Sequence, residues 1–146
     1  MDKFMSSLTA MLKRHEGLTL EASNGVIGYG HSLTNPITIE AAAHILEDDI
    51  YVAMDALDRH KPFWRMLPYN VRLVVLNMAY NLGWPRYRGF VKFWVAVELH
   101  NYDLAADEMI DSLWFTQVKR RGAELAELMR RAGDDGPTEV GASSLP

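Results

Sequence analysis

A single glutamate lies where an apolar-patterned segment gives way to a glycine-rich stretch. Apolar residues recur before it at helical spacing: Phe4, Met5, Leu8, Met11 and Leu12. This spacing predicts an amphipathic helix that ends at Glu16 and is capped by Gly17. The negative end of the helix macrodipole disfavours ionisation of a carboxylate there, and general acid catalysis needs a carboxyl group that keeps its proton. The plain alternative is a helix that ends in Glu-Gly before a turn and has no catalytic role.

The stretch after this helix has the pattern of a tight β-hairpin. Asn24 and Gly25 form the dipeptide typical of a two-residue hairpin turn, and residues 26–31 follow as the returning strand. Gly28 and Gly30 alternate along that strand and remove the side chains from one of its faces. A backbone without side chains can approach a ligand closely, so the hairpin is the expected neighbour of the reacting group.

Further motifs follow in order along the chain. They are Thr38 at a helix start with Asp48-Asp49 inside that helix, Asn77-Met78-Ala79-Tyr80-Asn81-Leu82-Gly83, Gly89-Phe90, and Ser112-Leu113-Trp114-Phe115-Thr116-Gln117-Val118 with Arg120-Arg121 after it. Together with Glu16-Gly17-Leu18-Thr19-Leu20 and Ile27-Gly28-Tyr29-Gly30-His31, this order resembles the phage-type lysozymes, the muramidases of bacteriophages and prophages. The resemblance extends over residues 4–133, nearly the whole chain.

The resemblance implies an α+β fold that is mainly α-helical and lysozyme-like. We expect one domain over residues 1–133, in which a long helix joins a small β-hairpin lobe to a helical lobe. The hairpin lobe is expected at about residues 18–37, and the helical lobe at about residues 60–133 together with the N-terminal helix. Residues 134–146 contain Gly, Pro, Ser and acidic residues without an apolar period, which predicts a disordered tail.

The resemblance also implies an activity, hydrolysis of the β-1,4 bond between N-acetylmuramic acid and N-acetylglucosamine in peptidoglycan. Glu16 takes the position of the general acid. Arg121 falls where the family keeps an arginine that pairs with this glutamate, although a solvated charge in a basic run is the alternative. His31 and Asp49 match a histidine–aspartate pair that supports the fold. We interpret both as structural residues.

The hairpin departs from the family pattern in the groups that position the attacking water. Family members have an aspartate in the turn and a threonine before Ile-Gly-x-Gly. Here no aspartate occurs between Glu16 and His31, and Val26 occupies the threonine position. Glu21, or Ser23 and Asn24 acting through a water, remains as a weaker second catalytic group. Three hypotheses follow: a working muramidase, a lytic transglycosylase that needs one carboxylate only, and a degenerate glycan-binding or protein-interaction module.

The remaining candidate residues belong to substrate binding. Tyr29 lies between two glycines of the hairpin, and Asn81 ends an apolar helix beside aromatic residues. Gln117 and Arg121 belong to the late motif. Amide and aromatic side chains of this kind commonly line sugar subsites, so we predict that these four residues contact peptidoglycan glycan strands. For Phe90 and Trp114, packing in the core is the expected role.

Composition excludes several other classes of function. Cysteine is absent and the five histidines are scattered without ligand spacing, so we expect no metal and no cofactor. A net charge of −4 argues against a nucleic-acid binder. Neither a signal peptide nor a membrane-length apolar run is visible, which predicts no membrane insertion. We expect a monomer made in the host cytoplasm that reaches the cell wall after holin-type release or as part of a virion.

Overall fold

The computed structural model describes residues 2–134, and the chain divides into two compact units. The first unit comprises the chain up to His44, and the second begins at Ile45. The tail predicted to be disordered lies outside the described residues except for Asp134, whose carboxylate accepts a hydrogen bond from Arg131 Nε at 2.7 Å.

The first unit opens with the predicted amphipathic helix, α1, which spans Lys3–Glu16. Asp2 caps its start, because Asp2 Oδ1 accepts a hydrogen bond from the backbone N–H of Met5 at 2.8 Å. Gly17 ends it with a φ of 71°, and its N–H donates to the carbonyl of Lys13. No residue of α1 is buried. The predicted end of this helix at Glu16 and its cap at Gly17 are confirmed.

A three-stranded antiparallel sheet follows in the order β1-β2-β3. Its strands are β1 (Thr19–Ser23), β2 (Val26–Gly28) and β3 (His31–Ser32). Ser23 pairs with Val26, so the connection consists of Asn24 (φ 50°) and Gly25 (φ 76°). Two successive positive φ angles define a type I′ turn, whose twist suits a two-residue hairpin. The predicted Asn24-Gly25 hairpin turn is confirmed. The returning strand predicted over residues 26–31 is wrong in its length, because β2 ends at Gly28 (φ 68°) and Gly30 (φ 78°) lies in the turn before β3, so the two glycines do not alternate along one strand.

The next helix, α2, spans Ile39–His60, and the boundary between the two units falls within it. Thr38 caps its start as predicted, since Thr38 Oγ1 accepts a hydrogen bond from the N–H of Ala41 at 3.1 Å. The chain is therefore mainly helical with a small antiparallel sheet, as the sequence pattern indicated.

The second unit is entirely helical beyond α2 within the described residues. Its elements are a 3₁₀ helix at Pro62–Met66, α3 (Tyr69–Leu82), α4 (Trp84–Tyr87), α5 (Val91–Glu98), α6 (Tyr102–Ile110), α7 (Leu113–Val118) and α8 (Arg120–Arg130). Helix α3 is its centre, with Val71, Val74, Val75 and Met78 fully buried. Side chains of α5, α6 and α8 complete the same apolar cluster. The predicted buried helix that ends at Gly83 is confirmed.

The sequence also predicts a loop at residues 84–89, a helix capped by Asp103 and a single helix over residues 116–131. The structure differs at each of the three. Residues 84–89, expected as a loop, contain the one-turn helix α4, which Pro85 tolerates because it lies in the first turn. Asn101, rather than Asp103, caps α6 by accepting from the N–H of Leu104. The single helix expected over residues 116–131 is divided into α7 and α8 at Lys119, whose φ is 47°.

Candidate functional site

Glu16 ends α1 with its side chain exposed, and its carboxylate lies against the bare face of Gly30. A Cβ atom built on Gly30 would lie 2.9 Å from Glu16 Oε2 and 3.3 Å from Glu16 Cδ. Gly30 has a φ of 78° and immediately precedes β3. The fold of the first unit thus brings the predicted acid to the glycine-rich stretch that follows it in sequence.

Tyr29 lies beside that position, between β2 and β3, and 44% of its surface is exposed. Lys13 Nζ lies 5.3 Å from the centre of the Tyr29 ring. An ammonium at this distance from an aromatic face is attracted by the ring quadrupole. Lys13 is on the last turn of α1, so this contact joins the helix that ends in Glu16 to the strand region that carries Tyr29.

The two candidates for a second catalytic group are on the hairpin and are both exposed. Glu21 is in β1, and Asn24 is the first residue of the type I′ turn. Asparagine tolerates the positive φ of this position better than most residues, which gives Asn24 a conformational role independent of catalysis. Val26 opens β2 opposite Ser23 and is half-buried.

His31 and Asp49, predicted as a structural pair, are in different units. His31 is the first residue of β3 and is half-buried, where it pairs with Ile27 across the sheet. Asp49 is on the part of α2 that belongs to the second unit and is exposed. The pairing of these two side chains stays a prediction.

The second unit contains a cavity of about 600 Å³ between α2 and the end of α3. Polar and aromatic side chains from both helices line it, together with the first residues of α4; among them are Asp49, Tyr80, Asn81 and Trp84. Val52, Ala53 and Ala56 form the apolar part of its α2 wall. This size and this mixture of aromatic and polar groups suit a small organic ligand such as a sugar ring.

Asn81 has one end of its amide fixed by the core. Trp114 Nε1 donates a hydrogen bond to Asn81 Oδ1 at 2.8 Å. Because an indole N–H is a donor only, the bond identifies the oxygen end of the amide. The amide nitrogen of Asn81 is therefore the end that can donate to a ligand in the cavity. Trp114 itself is in the core with 1% of its surface exposed, which confirms its predicted packing role.

Trp84 is the aromatic residue of the cavity wall that is held most firmly. The His60 ring stacks on it with a centroid distance of 4.6 Å and an interplanar angle of 3°. The rings of Tyr87 and Trp94 lie 6.1 and 6.2 Å away. Tyr87 is fully buried in this aromatic group, and burial raises the pKa of its hydroxyl. Trp84 is thus half-buried in contact with three other aromatic rings.

Gln117 and Arg121 lie on either side of the break between α7 and α8. Gln117 Oε1 accepts a hydrogen bond from Arg86 Nη2, which ties the end of α7 to α4. Arg121 is in the first turn of α8 and is exposed. A further cavity of about 550 Å³ is lined by Arg86, by residues 89–93 at the start of α5, and by residues around the connection from α6 to α7, with Phe90 half-buried at its wall.

Some residues of the site had no prediction from the sequence. Lys13 contacts Tyr29, and Tyr80 lines the cavity beside Asn81. The α2 wall was also missed, although its signal is present: Asp49, Val52, Ala53 and Ala56 recur at helical spacing. Small residues on one face of a helix leave room for a cavity or a close neighbour.

Residues 2–134 contain no group of three or more His, Cys, Asp or Glu side chains that could hold a metal ion. Within the same residues, none of the helices combines the length and the apolar character needed to cross a membrane. The chain matches no protein-family model and no curated protein.

Proposed function

We propose that the protein is a muramidase with a lysozyme-like fold, and that it hydrolyses the β-1,4 bond between N-acetylmuramic acid and N-acetylglucosamine in peptidoglycan. The observation that carries this proposal is the Glu16 carboxylate at the end of α1, seated against the bare backbone of Gly30. It supports the resemblance of the motif order to the phage-type lysozymes.

Glu16 acts in this proposal as the general acid. Its carboxyl proton passes to the glycosidic oxygen while the bond to the anomeric carbon breaks, and the sugar becomes oxocarbenium-like. The exposure of Glu16 leaves its carboxyl group accessible to a glycan strand. Gly30 presents no side chain beside it, so the backbone between β2 and β3 can come close to a sugar ring.

The cavity of the second unit provides contacts to sugar in this proposal. The Asn81 amide nitrogen donates a hydrogen bond, because its oxygen is already bound by Trp114. Trp84 and Tyr80 offer aromatic surface for the apolar faces of sugar rings, and Asp49 offers an acceptor for their hydroxyl groups. Tyr29 would contact the glycan beside Glu16, and we retain Gln117 and Arg121 as proposed contacts.

The water that completes hydrolysis needs a second group, and the hairpin offers Glu21 or Asn24. Neither is a strong base in the position that the family uses, so we expect slow hydrolysis. A lytic transglycosylase needs no such group, because the 6-hydroxyl of the muramic acid closes on the anomeric carbon and yields a 1,6-anhydro end. The products therefore separate the two reactions.

The experiment is digestion of purified peptidoglycan followed by mass analysis of the released ends. We expect reducing muropeptides from the parent protein. Glu16→Gln should lower the rate at least about 10²-fold, because the amide has no acidic proton to donate. The amide also keeps the size of the side chain. Circular dichroism and melting temperature verify that the variant is folded.

Glu40→Gln is the matched control, since Glu40 is another exposed glutamate of the first unit, in the first turn of α2. It should keep the parent rate. Release of 1,6-anhydro ends instead of reducing ends would show that the protein is a lytic transglycosylase and not a hydrolase. Binding of peptidoglycan without any release of muropeptides would make the chain a binding module, and a folded Glu16→Gln variant with the parent rate would exclude Glu16 as the acid.

A further inference from the structure

Gly30 occupies the one glycine position of the first unit at which a side chain would meet the candidate acid. A Cβ atom there would lie 2.9 Å from Glu16 Oε2, 3.3 Å from Cδ and 3.5 Å from Cγ. Separations below 3.0 Å essentially never occur for real Cβ atoms. The space that a side chain would fill at this position is thus occupied by the carboxylate of Glu16.

The other glycines of the first unit provide an internal comparison. Gly17, Gly25 and Gly28 have φ angles of 71°, 76° and 68°, and a Cβ atom on any of them would have no neighbour within 4 Å. Their backbone conformation alone favours glycine. Gly30 shares that conformation, with a φ of 78°, and differs in its contact with Glu16.

We propose that Gly30 is a positioning residue for Glu16. Because Gly30 has no side chain, the Glu16 carboxylate can lie beside its Cα atom, and this space is the seat of the carboxylate. This inference rests on the proposed function for the role of Glu16 as the acid. The position of the carboxylate itself is a separate matter that can be measured without any activity.

A methyl group at position 30 would act on the carboxylate more than on the fold. The atoms it meets are the far end of a flexible, exposed side chain, which can rotate away. The strain of an L-residue at positive φ is the same at position 28, where nothing is in contact. Displacement of the carboxylate is therefore the effect that is specific to position 30.

The test compares Gly30→Ala with Gly28→Ala by NMR, in protein labelled with ¹³C at the side-chain carboxyl carbon (Cδ) of its glutamates. We expect both variants to lose a similar amount of thermal stability. The Glu16 Cδ resonance, assigned by its absence in Glu16→Gln, should shift in Gly30→Ala and keep the parent position in Gly28→Ala. An unchanged resonance in folded Gly30→Ala, or equal shifts in both variants, would overturn the proposal.

A second pair keeps the comparison available if the alanine variants do not fold. Asparagine tolerates positive φ better than alanine, so Gly30→Asn and Gly28→Asn carry a Cβ atom with less backbone strain. The same contrast in the Glu16 resonance is expected from this pair. If the Gly28 variant folds and the Gly30 variant does not, the side chain is not accommodated by movement of Glu16, and the proposal is wrong.

Kinetics then relates the seat to the reaction. Misplacement of a reacting group by about 1 Å can cost about 10²-fold in rate, so kcat of Gly30→Ala should fall by that order while KM changes little. A rise in KM with unchanged kcat would contradict positioning of the acid. If the parent releases no muropeptides, the proposed function fails, whereas the resonance comparison still decides whether Gly30 seats Glu16.

Discussion

Asp58 joins the end of α2 to the 3₁₀ helix through three hydrogen bonds. Its carboxylate accepts from Arg65 Nε at 2.8 Å, from Arg65 Nη2 at 2.9 Å and from Trp64 Nε1 at 2.7 Å. The bonds from Arg65, and to a lesser degree the bond from Trp64, hold the pKa of Asp58 below its usual range. A forked pair of this kind is stronger than a neutral hydrogen bond.

The pH dependence of stability follows from this lowered pKa. A depressed carboxyl pKa contributes stability above the unfolded value of about 3.9, and the contribution is lost as the pH falls through the folded value. Asp58→Asn should therefore lower the free energy of unfolding by on the order of 1 kcal/mol at pH 7, a modest value because the pair is partly exposed. The difference from the parent should shrink below pH 4 in urea titrations.

Asp55→Asn is the control for this measurement. Asp55 pairs with Arg59 on the same helix at 3.0 Å, and both side chains are largely exposed. Exposed pairs of this kind contribute little, so the variant should stay near the parent at both pH values. Equal losses in the two variants at pH 7 would show that Asp58 contributes only a surface charge.

At the scale of elements, the corner between α7 and α8 depends on Gly122. A Cβ atom on Gly122 would lie 2.9 Å from Phe115 Cδ2 and 3.2 Å from Val118 Cγ2. Gly122 is buried, so the two side chains of α7 pack directly on the backbone of α8. This contact sets how closely α7 and α8 approach each other at the corner.

The substitution Gly122→Ala has two opposite effects on the free energy of unfolding, one from helix propensity and one from packing. Alanine is favoured over glycine in a helix by about 1 kcal/mol, whereas overpacking a filled site costs typically about 1–3 kcal/mol. We expect packing to dominate and the free energy of unfolding to fall by about 1 kcal/mol. Gly133→Ala, where a Cβ atom has no neighbour within 4 Å, should stay within about 0.5 kcal/mol of the parent. A stabilised Gly122→Ala variant would contradict the close packing.

The elements also show what the sequence could predict and what it could not. The end of α1 at Gly17 and the cap of α2 at Thr38 follow from local rules, because the capping atoms are within a few residues. Lys119 gives no comparable signal, since lysine has no preference for the positive φ that divides α7 from α8. The bond between Trp114 and Asn81 joins residues 33 positions apart, and no spacing rule encodes it.

At the scale of the whole molecule, burial is distributed unequally along the chain. No described residue before Ala53 is buried, while the apolar core extends from Ala53 to Ala132. Asn70, in the first turn of α3, joins that helix to the end of α8, because its Nδ2 donates to the carbonyl of Arg131 at 2.8 Å. Stability is therefore concentrated in the second unit.

Native-state hydrogen exchange should follow this distribution. Amides of α3 should exchange only through global unfolding, whereas those of α1 and β1–β3 should exchange at least about 10²-fold faster through local opening, since few buried apolar contacts hold them. Mass spectrometry of peptic fragments measures both groups in one sample. Equal protection of α1 and α3 would mean that the chain opens as a single cooperative unit.

The position of Trp84 in the cavity wall has a consequence for the fluorescence of the protein. Three of the four tryptophans, Trp64, Trp94 and Trp114, are buried, and only Trp84 lines the cavity beside Asn81. Its indole is the one whose surroundings change when a molecule enters that cavity. The emission of Trp84 should therefore change when the cavity is occupied. Titration with soluble glycan fragments can be followed by the intrinsic tryptophan fluorescence, without an attached dye.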